Sequence, residues 1–401
     1  MSEASAKPFE GVRVLDFTQV FAGPFGSYQL AVLGADVIKV ERPGGEEMRN
    51  GPLSREWSDR GMAPGWLAIN ANKRNIALDL KDPKALEIVR RLVKDVDVVT
   101  ENFRPGVMER LGIGYEALSA INPQLIYCAV SGFGQNGPER NTPSYDGRIQ
   151  AVSGIMSITG HEGTGPTRAG FAVGDAIGGR SSAFAIASAL FQRTHTGQGQ
   201  CIDVAMLDST LAFLSPLISE HTTTGHVHGQ YGNQAISRRP TANLFKVGDD
   251  NLLLAVNTEK QFQALMDAIG RPELMDDPRF ADWHGRTEHE PALREIIESA
   301  FATDDITTWE DRLAEAGAPA SQVRNLKEAV NHPQLQHRDV LQTVESPFGT
   351  LKLVANGFRL AHGGASIDRA PVAPGADAEE ILGEAGYSTD EIEAFRADGV
   401  I

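Results

Sequence analysis

The chain has 401 residues, and 53 acidic against 37 basic residues give a formal net charge of −16. That balance argues against nucleic acid or an anionic membrane as a general partner, and no apolar run approaches the ~18 residues of a membrane span. Its two cysteines, Cys128 and Cys201, lie far apart in strand-like apolar runs, so buried free thiols in a reducing compartment are expected rather than a disulfide. The opening Met1-Ser-Glu-Ala-Ser-Ala-Lys-Pro shows neither the apolar core of a secretory leader nor an Arg-rich transit pattern. A cytoplasmic protein of two or three domains is expected.

Arg13–Phe17 reads as a strand, Gly23 to about Leu33 as a helix closed by Gly34, and Asp36–Val40 as the next strand. This is a short βαβ unit. The run Ile76–Leu80 is strand-like. Asp82-Pro83 then predicts a helix N-cap with proline at the first helical position, and Leu86, Val89, Leu92 and Val93 recur at helical spacing. A strand at Asp97–Thr100, a helix at Tyr115–Ala120, and strands at Leu125–Val130 and Gln200–Ala205 continue the alternation. Such alternation implies a parallel sheet in an α/β domain. From about residue 221 to 239 the chain is polar and aperiodic, as a linker would be. Beyond it come a hairpin (Leu244–Val247, then Leu252–Val256) and helices at Gln261–Ile269, Ala292–Ala302 and Thr308–Ala316. A crossing follows at Asn331-His332-Pro333, then a strand at Leu351–Val354. A last helix is capped by the box Ser388-Thr389-Asp390-Glu391.

The charges are unevenly spread. Residues 1–110 hold 16 Lys/Arg and 16 Asp/Glu, so the acidic surplus lies downstream. A polyanionic ligand meets the least repulsion in this first part. Ligands of open parallel sheets bind at the carboxyl ends of the strands, where Arg42, Asn102 and Arg104 fall. Guanidinium forks beside the aromatic face of Phe103 suit an adenosine diphosphate. Arg90, Arg91 and Lys94 read as a solvated helix face. For Arg42, Lys73, Arg74 and Arg104, solvation and ligand binding both remain open on the residues alone.

Most familiar catalytic devices are missing. Gly132-Phe133-Gly134-Gln135-Asn136-Gly137 has dinucleotide-fingerprint spacing, but prolines follow instead of a helix, so it reads as a Gly-rich loop that a ligand or another subunit approaches. No His pairs with Cys or His at metal spacing, and no Walker loop or nucleophile elbow occurs. The stretch Gly170-Phe171-Ala172-Val173-Gly174-Asp175-Ala176-Ile177-Gly178-Gly179 stands out against this background. It holds one carboxylate among glycines and small residues. Two readings stay open: Asp175 is the N-cap of a helix from about Ala176 to Arg193, or it is a nucleophile that, being ionised at neutral pH, needs no general base.

The motifs taken together resemble the class III (carnitine/formyl-type) CoA-transferase family over nearly the whole chain. They are Val14-Leu15-Asp16-Phe17 with Ala22-Gly23-Pro24, Leu33 through Glu41, Asn72 through Asp79, Glu101 through Gly106, Ser131 through Pro138, Gln150 through Gly154, Thr196 through Gln200, Asp277-Pro278-Arg279-Phe280, and the closing Gly386-Tyr387-Ser388 and Gly399-Val400-Ile401. The resemblance implies a Rossmann-like α/β large domain built from both chain ends, with a small α+β middle domain, in an interlocked homodimer. The boundaries implied are 1–218 for the first part of the large domain, 219–239 a linker, 240–325 the small domain, 326–340 a second linker, and 341–401 the return.

The resemblance makes Asp175 the nucleophile that carries CoA as a thioester. It places CoA over Val20, Phe21, Ala22, Arg42, Lys73, Arg74, Asn102, Phe103, Arg104 and Arg110. The acids are placed near Tyr145, Arg148, Arg168, Gly132 and Gly134, with amides of Gly132, Gly134 or Gly178 for the oxyanion. The expected partners are an acyl-CoA and a small carboxylic acid, with no metal and no prosthetic group. On the residues alone Arg148 reads equally as a surface residue or as an ion pair with Asp146; the sharper expectation is that Arg148 or Arg168 reads the distal carboxylate of a dicarboxylic acid. Residues 220–330 lack the tetraglycine run of formyl-CoA transferases, which disfavours formate and oxalate. The second class of activity, a 2-methylacyl-CoA racemase, needs a His before an Asp where this chain has Tyr145-Asp146. A non-catalytic CoA-binding protein is the third.

Overall fold

The computed structural model describes residues 6–401; Met1–Ser5, part of the segment read above for a leader, lie outside the described residues. The central element is a six-stranded parallel sheet: β1 (Arg13–Asp16), β2 (Asp36–Glu41), β3 (Lys73–Ala77), β4 (Val98–Glu101), β5 (Ile126–Ser131) and β6 (Gln200–Ala205). Its order is β3-β2-β1-β4-β5-β6. The chain builds outward from β1 in one direction, then returns to β4 and builds outward in the other. The order therefore reverses between β1 and β4, which opens a crevice at their carboxyl ends.

Alternation sorts the strand residues to the two faces. Leu15 and Phe17 pack with Ile38, Ile76 and the helix Pro83–Leu92 on one face, where Ile381, Leu382, Ile392 and Val400 from the chain's end complete the core. Val14, Val37 and Val98 pack on the other face against Leu30, Ile149 and Ile186. The expected caps form: Asp82 accepts from Lys84 N, and Ser388 and Glu391 exchange both bonds of a capping box.

Two compact units divide the chain. One holds the described residues up to Gly154, together with Ala169–His226 and Gln334–Ile401; the other holds Ile155–Arg168 and Val227–Pro333. The second has an antiparallel sheet of β7 (Leu244–Val247), β8 (Asp250–Leu254) and β9 (Ala320–Gln322). It covers a core of Phe262, Leu265, Ile297, Phe301, Trp309 and Leu313.

Several local expectations are corrected. The polar stretch after 220 is not all linker, because a helix runs Ser215–Thr224 and ends at left-handed Gly225. The strand Gly349–Val354 pairs with Leu341–Ser346 as a hairpin, and the second unit gains β9, whose three residues are too few to carry an alternation signal. Cys201 is exposed rather than buried, since β6 is an edge strand, while Cys128 is buried in β5. No helix of the described residues is long and apolar enough to cross a membrane.

Candidate active site

The crevice at the sheet's reversal is a cavity assembled from the ends of three neighbouring strands. The β1 end gives Gln19, Val20, Phe21 and Ala22; the β4 end gives Asn102, Phe103, Arg104 and Pro105; the β5 end gives Ser131, Gly132 and Phe133. Arg140, Ser144, Tyr145, Asp175 and Met206 complete the wall. The β1 and β4 loops are tied by a reciprocal pair: Gln19 N donates to Asn102 Oδ1 at 2.8 Å, and Asn102 Nδ2 donates to Gln19 O at 2.7 Å. Gly132 is required by close packing, because a Cβ there would lie 2.4 Å from Ser144 Cβ. Gly134 has φ +90°, open only to glycine without strain, and its N–H is given to Ser131 Oγ at 2.9 Å. An oxyanion role for that amide therefore requires breaking an existing bond. Gly178 lies inside the helix Val173–Thr196, where a Cβ would press on Met206. Its N–H falls within the run of i→i−4 helical bonds.

That helix begins three residues earlier than the cap reading required. Ala172 is its N-cap, so Asp175 sits in the first turn rather than at the boundary. A carboxylate there faces the positive end of the helix dipole. The segment leading into it is tied down from the helix Asp146–Val152. Asp146 Oδ1 accepts from Gly174 N at 2.8 Å, and Gln150 accepts from Ala169 N at 2.9 Å and donates to Asp146 Oδ2 at 2.7 Å. Burial first, and then the negative Asp146, push the Asp175 carboxyl up to about 7. The expectation that Asp175 is simply ionised at neutral pH is thereby amended: it titrates there.

The chain matches CoA-transferase family III over residues 9–378. It belongs to that family. The protein is a CoA-transferase.

It is 41% identical to acetyl-CoA:oxalate CoA-transferase of Acetobacter aceti, over 83% of this chain and 85% of that protein. It is 35% identical to succinyl-CoA–D-citramalate CoA-transferase of Chloroflexus aurantiacus, over the whole of both. Among solved structures, a CAIB/BAIF family protein from Brucella suis superposes with a TM-score of 0.85 at 32% identity, over 95% of this chain and all of that one. The first of these names oxalate, one of the two acids that the missing tetraglycine run was expected to disfavour.

The remaining expected site residues of the transferase fall elsewhere. Lys73 and Arg74 are not brought to the cavity. The strand expected at Ile76 starts at Lys73, which carries both basic residues into the sheet. Lys73 is 2% exposed, and its ammonium donates to Asp16 Oδ2, Pro24 O and Asn70 Oδ1. Burial lowers it to about 8. Arg74 is held by Asp36, Glu380 and Glu384. Arg42 is exposed and donates to Gly45 O at 2.8 Å, and exposed Arg110 lies beside Gly106. Arg148 reaches Glu139 at 3.5 Å, not Asp146, with its guanidinium 5.5 Å from the ring of the cavity residue Phe133. Arg168 belongs to the second unit. The sequence reading missed Arg140 and Ser144, whose buried Oγ has no hydrogen-bond partner among the described residues. Both stand in the proline-rich stretch after the glycine loop, where no periodicity signals a cavity wall.

Proposed function

We propose that Asp175 carries CoA between two carboxylic acids as an aspartyl thioester, and that the acids are short dicarboxylates. The observation that carries this reading is the Asp175 carboxylate in the wall of a cavity that also presents Arg104, Arg140, Phe103 and the Val20–Ala22 backbone. A CoA lying there has guanidinium forks for its phosphates and an aromatic face for its base. Arg42 and Arg110 lie outside this wall and serve as further phosphate contacts only for a ligand that runs past it.

An Asp175 oxygen attacks the donor thioester carbon, and its C–S bond breaks to leave a mixed anhydride and CoA thiolate. The thiolate attacks the aspartyl carbonyl carbon and expels the donor acid. The acceptor carboxylate then attacks this aspartyl thioester and releases the thiolate. Finally the thiolate takes the acceptor's acyl carbon, and Asp175 returns as a carboxylate. No proton need be supplied, which suits a wall built without His. Each tetrahedral centre places an oxyanion near Ser144 Oγ and Gly132. Tyr145 covers the wall beside them, and Arg148 stands on Phe133 as the reader of a distal carboxylate.

The relatives named above act on oxalate and D-citramalate, both dicarboxylates, which supports this acceptor class. A homodimer is part of the proposal. Phe184 and Phe191, seven residues apart on one helix face, are 77% and 68% exposed, and Phe213 on the helix Met206–Phe213 is 69% exposed. A face of this kind is usually covered.

Incubation with acetyl-CoA or succinyl-CoA followed by hydroxylamine tests the reading. A hydroxamate at Asp175, seen by peptide mass spectrometry, is expected. Release of donor acid with no adduct at Asp175 would overturn it. A racemase instead exchanges the α-proton of a 2-methylacyl-CoA with deuterated solvent when no acceptor acid is present.

A further inference from the structure

Beneath the β1 loop lies a buried cluster of ions. Asp16, Lys39, Glu41, Glu46, Arg49 and Lys73 are each 5% exposed or less. Lys39 pairs with Glu46 at 3.0 Å, Lys73 with Asp16 at 3.2 Å, and Arg49 with Glu41 at 2.7 Å. Buried ion pairs are weak contributors to stability, and well-packed apolar residues often serve as well. Their bonds to the backbone are therefore the informative part.

Those bonds converge on the segment 18–24. Thr18 N donates to Asp16 Oδ1 at 2.8 Å, and Lys39 Nζ donates to Thr18 O at 2.7 Å. Val20 N donates to Glu46 Oε2 at 2.6 Å, and Lys73 Nζ donates to Pro24 O at 3.0 Å. Within this segment Val20 has φ 65°. A β-branched residue in the left-handed region is an outlier, disfavoured by roughly a factor of five to thirty. Something must hold it there. The Glu46 carboxylate does so, and is itself fixed: its other oxygen takes Lys39 and the Trp66 indole N–H, each at 3.0 Å. Gln19, Val20, Phe21 and Ala22 are the residues this segment gives to the cavity.

We propose that Glu46 is a positioning residue, clamping the strained Val20 backbone so that the β1 loop is preformed to receive coenzyme A. This rests on the reading of the cavity as the coenzyme A site. Glu46 touches neither the thioester nor Asp175; it acts through Val20. Without the clamp the loop relaxes, and binding must restore it, so affinity falls by the fraction of chains still in the left-handed form.

A double-mutant cycle tests it. Free coenzyme A is titrated calorimetrically into the wild type, Glu46→Ala, Val20→Gly and the double variant, with thermal unfolding as a check on folding. Glu46→Ala is expected to raise Kd about tenfold against Val20 but less than about threefold in the Val20→Gly background, because glycine enters the left-handed region freely. The KM for the CoA donor follows Kd, while kcat changes far less. Glu46→Gln, whose single acceptor oxygen can serve either Val20 N–H or the Lys39 and Trp66 donors but not both sides, is expected to fall between wild type and Glu46→Ala. Should Glu46→Ala not fold, Glu46→Asp keeps the charge opposite Lys39 but is one methylene short of Val20, and carries the same two comparisons. Equal penalties in both backgrounds, with wild-type binding intact, overturn the clamp alone. A wild type that binds no coenzyme A removes the site reading and this ligand together.

Discussion

Asp16 and Asp175 are two carboxylates at one end of the sheet, the first fully buried and the second half-buried, and they differ in what surrounds them. Burial works to raise the Asp16 pKa, but Lys73, Lys39, Ser27 and Thr18 outweigh it and hold the carboxyl below its ordinary range. Asp175 has only burial and the like charge of Asp146, and is pushed up to about 7. An acid whose lone pairs are all taken is a fastener. An acid with no cation keeps its lone pairs for an electrophile, and is held in place through the preceding residue's amide, Gly174 N, rather than through its own oxygens. Partnering rather than burial separates Asp16 from Asp175, the proposed nucleophile.

The comparison breaks most sharply at Asp175 itself. Asp175→Asn is expected to lower transfer by about a thousandfold or more, as loss of a covalent nucleophile does, with thioester binding retained in equilibrium measurements. The same substitution separates the two acids by stability. The raised pKa means that the folded state binds the extra proton between about 4 and about 7, so Asp175 costs stability increasingly as pH rises through that window. Asp175→Asn therefore raises Tm at pH 8 and leaves it nearly unchanged at pH 4. Asp16 has the opposite sign: its stabilisation is present above the unfolded pKa and is lost as pH falls through its lowered value. Asp16→Ala leaves the buried Lys73 ammonium without its carboxylate and is expected to cost about 3–5 kcal/mol in denaturant unfolding.

Next in size, Arg104→Met or Arg140→Met should raise KM for the CoA donor about tenfold or more with little change in kcat, since a charge-assisted bond contributes ~1.5–3 kcal/mol. Asp146→Asn removes the lesser cause of the Asp175 shift. The acidic limb of the pH–rate profile, expected near 7 for the wild type, should move to lower pH yet remain above 3.8, because burial persists. Arg148→Met is the smallest effect: KM for a dicarboxylate rises several-fold relative to a monocarboxylate. Equal changes on both acids would remove Arg148 from substrate recognition.

The alternation of strands and helices was plain in the sequence because each strand is a short apolar run bounded by Gly, Pro or Asp. Asn102-Phe103-Arg104 was readable as a strand-end loop for the same reason. Lys73 and Arg74 lie inside β3, where a charged residue defies the apolar expectation for a parallel strand; Asp16 from another strand, with Pro24 O and Asn70 Oδ1, partners the Lys73 ammonium there. The helix start at Val173 was hidden by glycines, which carry no helical signal. The Glu46 clamp was invisible: its parts come from a loop, from β2 and from the neighbourhood of Trp66, and nothing in their spacing brings them together.

The most direct measurement follows one oxygen atom. An acceptor dicarboxylate labelled with oxygen-18 in its carboxylates is turned over with an acyl-CoA donor, and the peptide containing Asp175 is weighed. The acceptor's oxygen becomes the bridge of the second anhydride and stays with the aspartate when the thiolate takes the acyl carbon. Label in the Asp175 carboxylate, dependent on donor and absent in Asp175→Asn, is predicted. Full-rate transfer with no label at Asp175 would contradict the account.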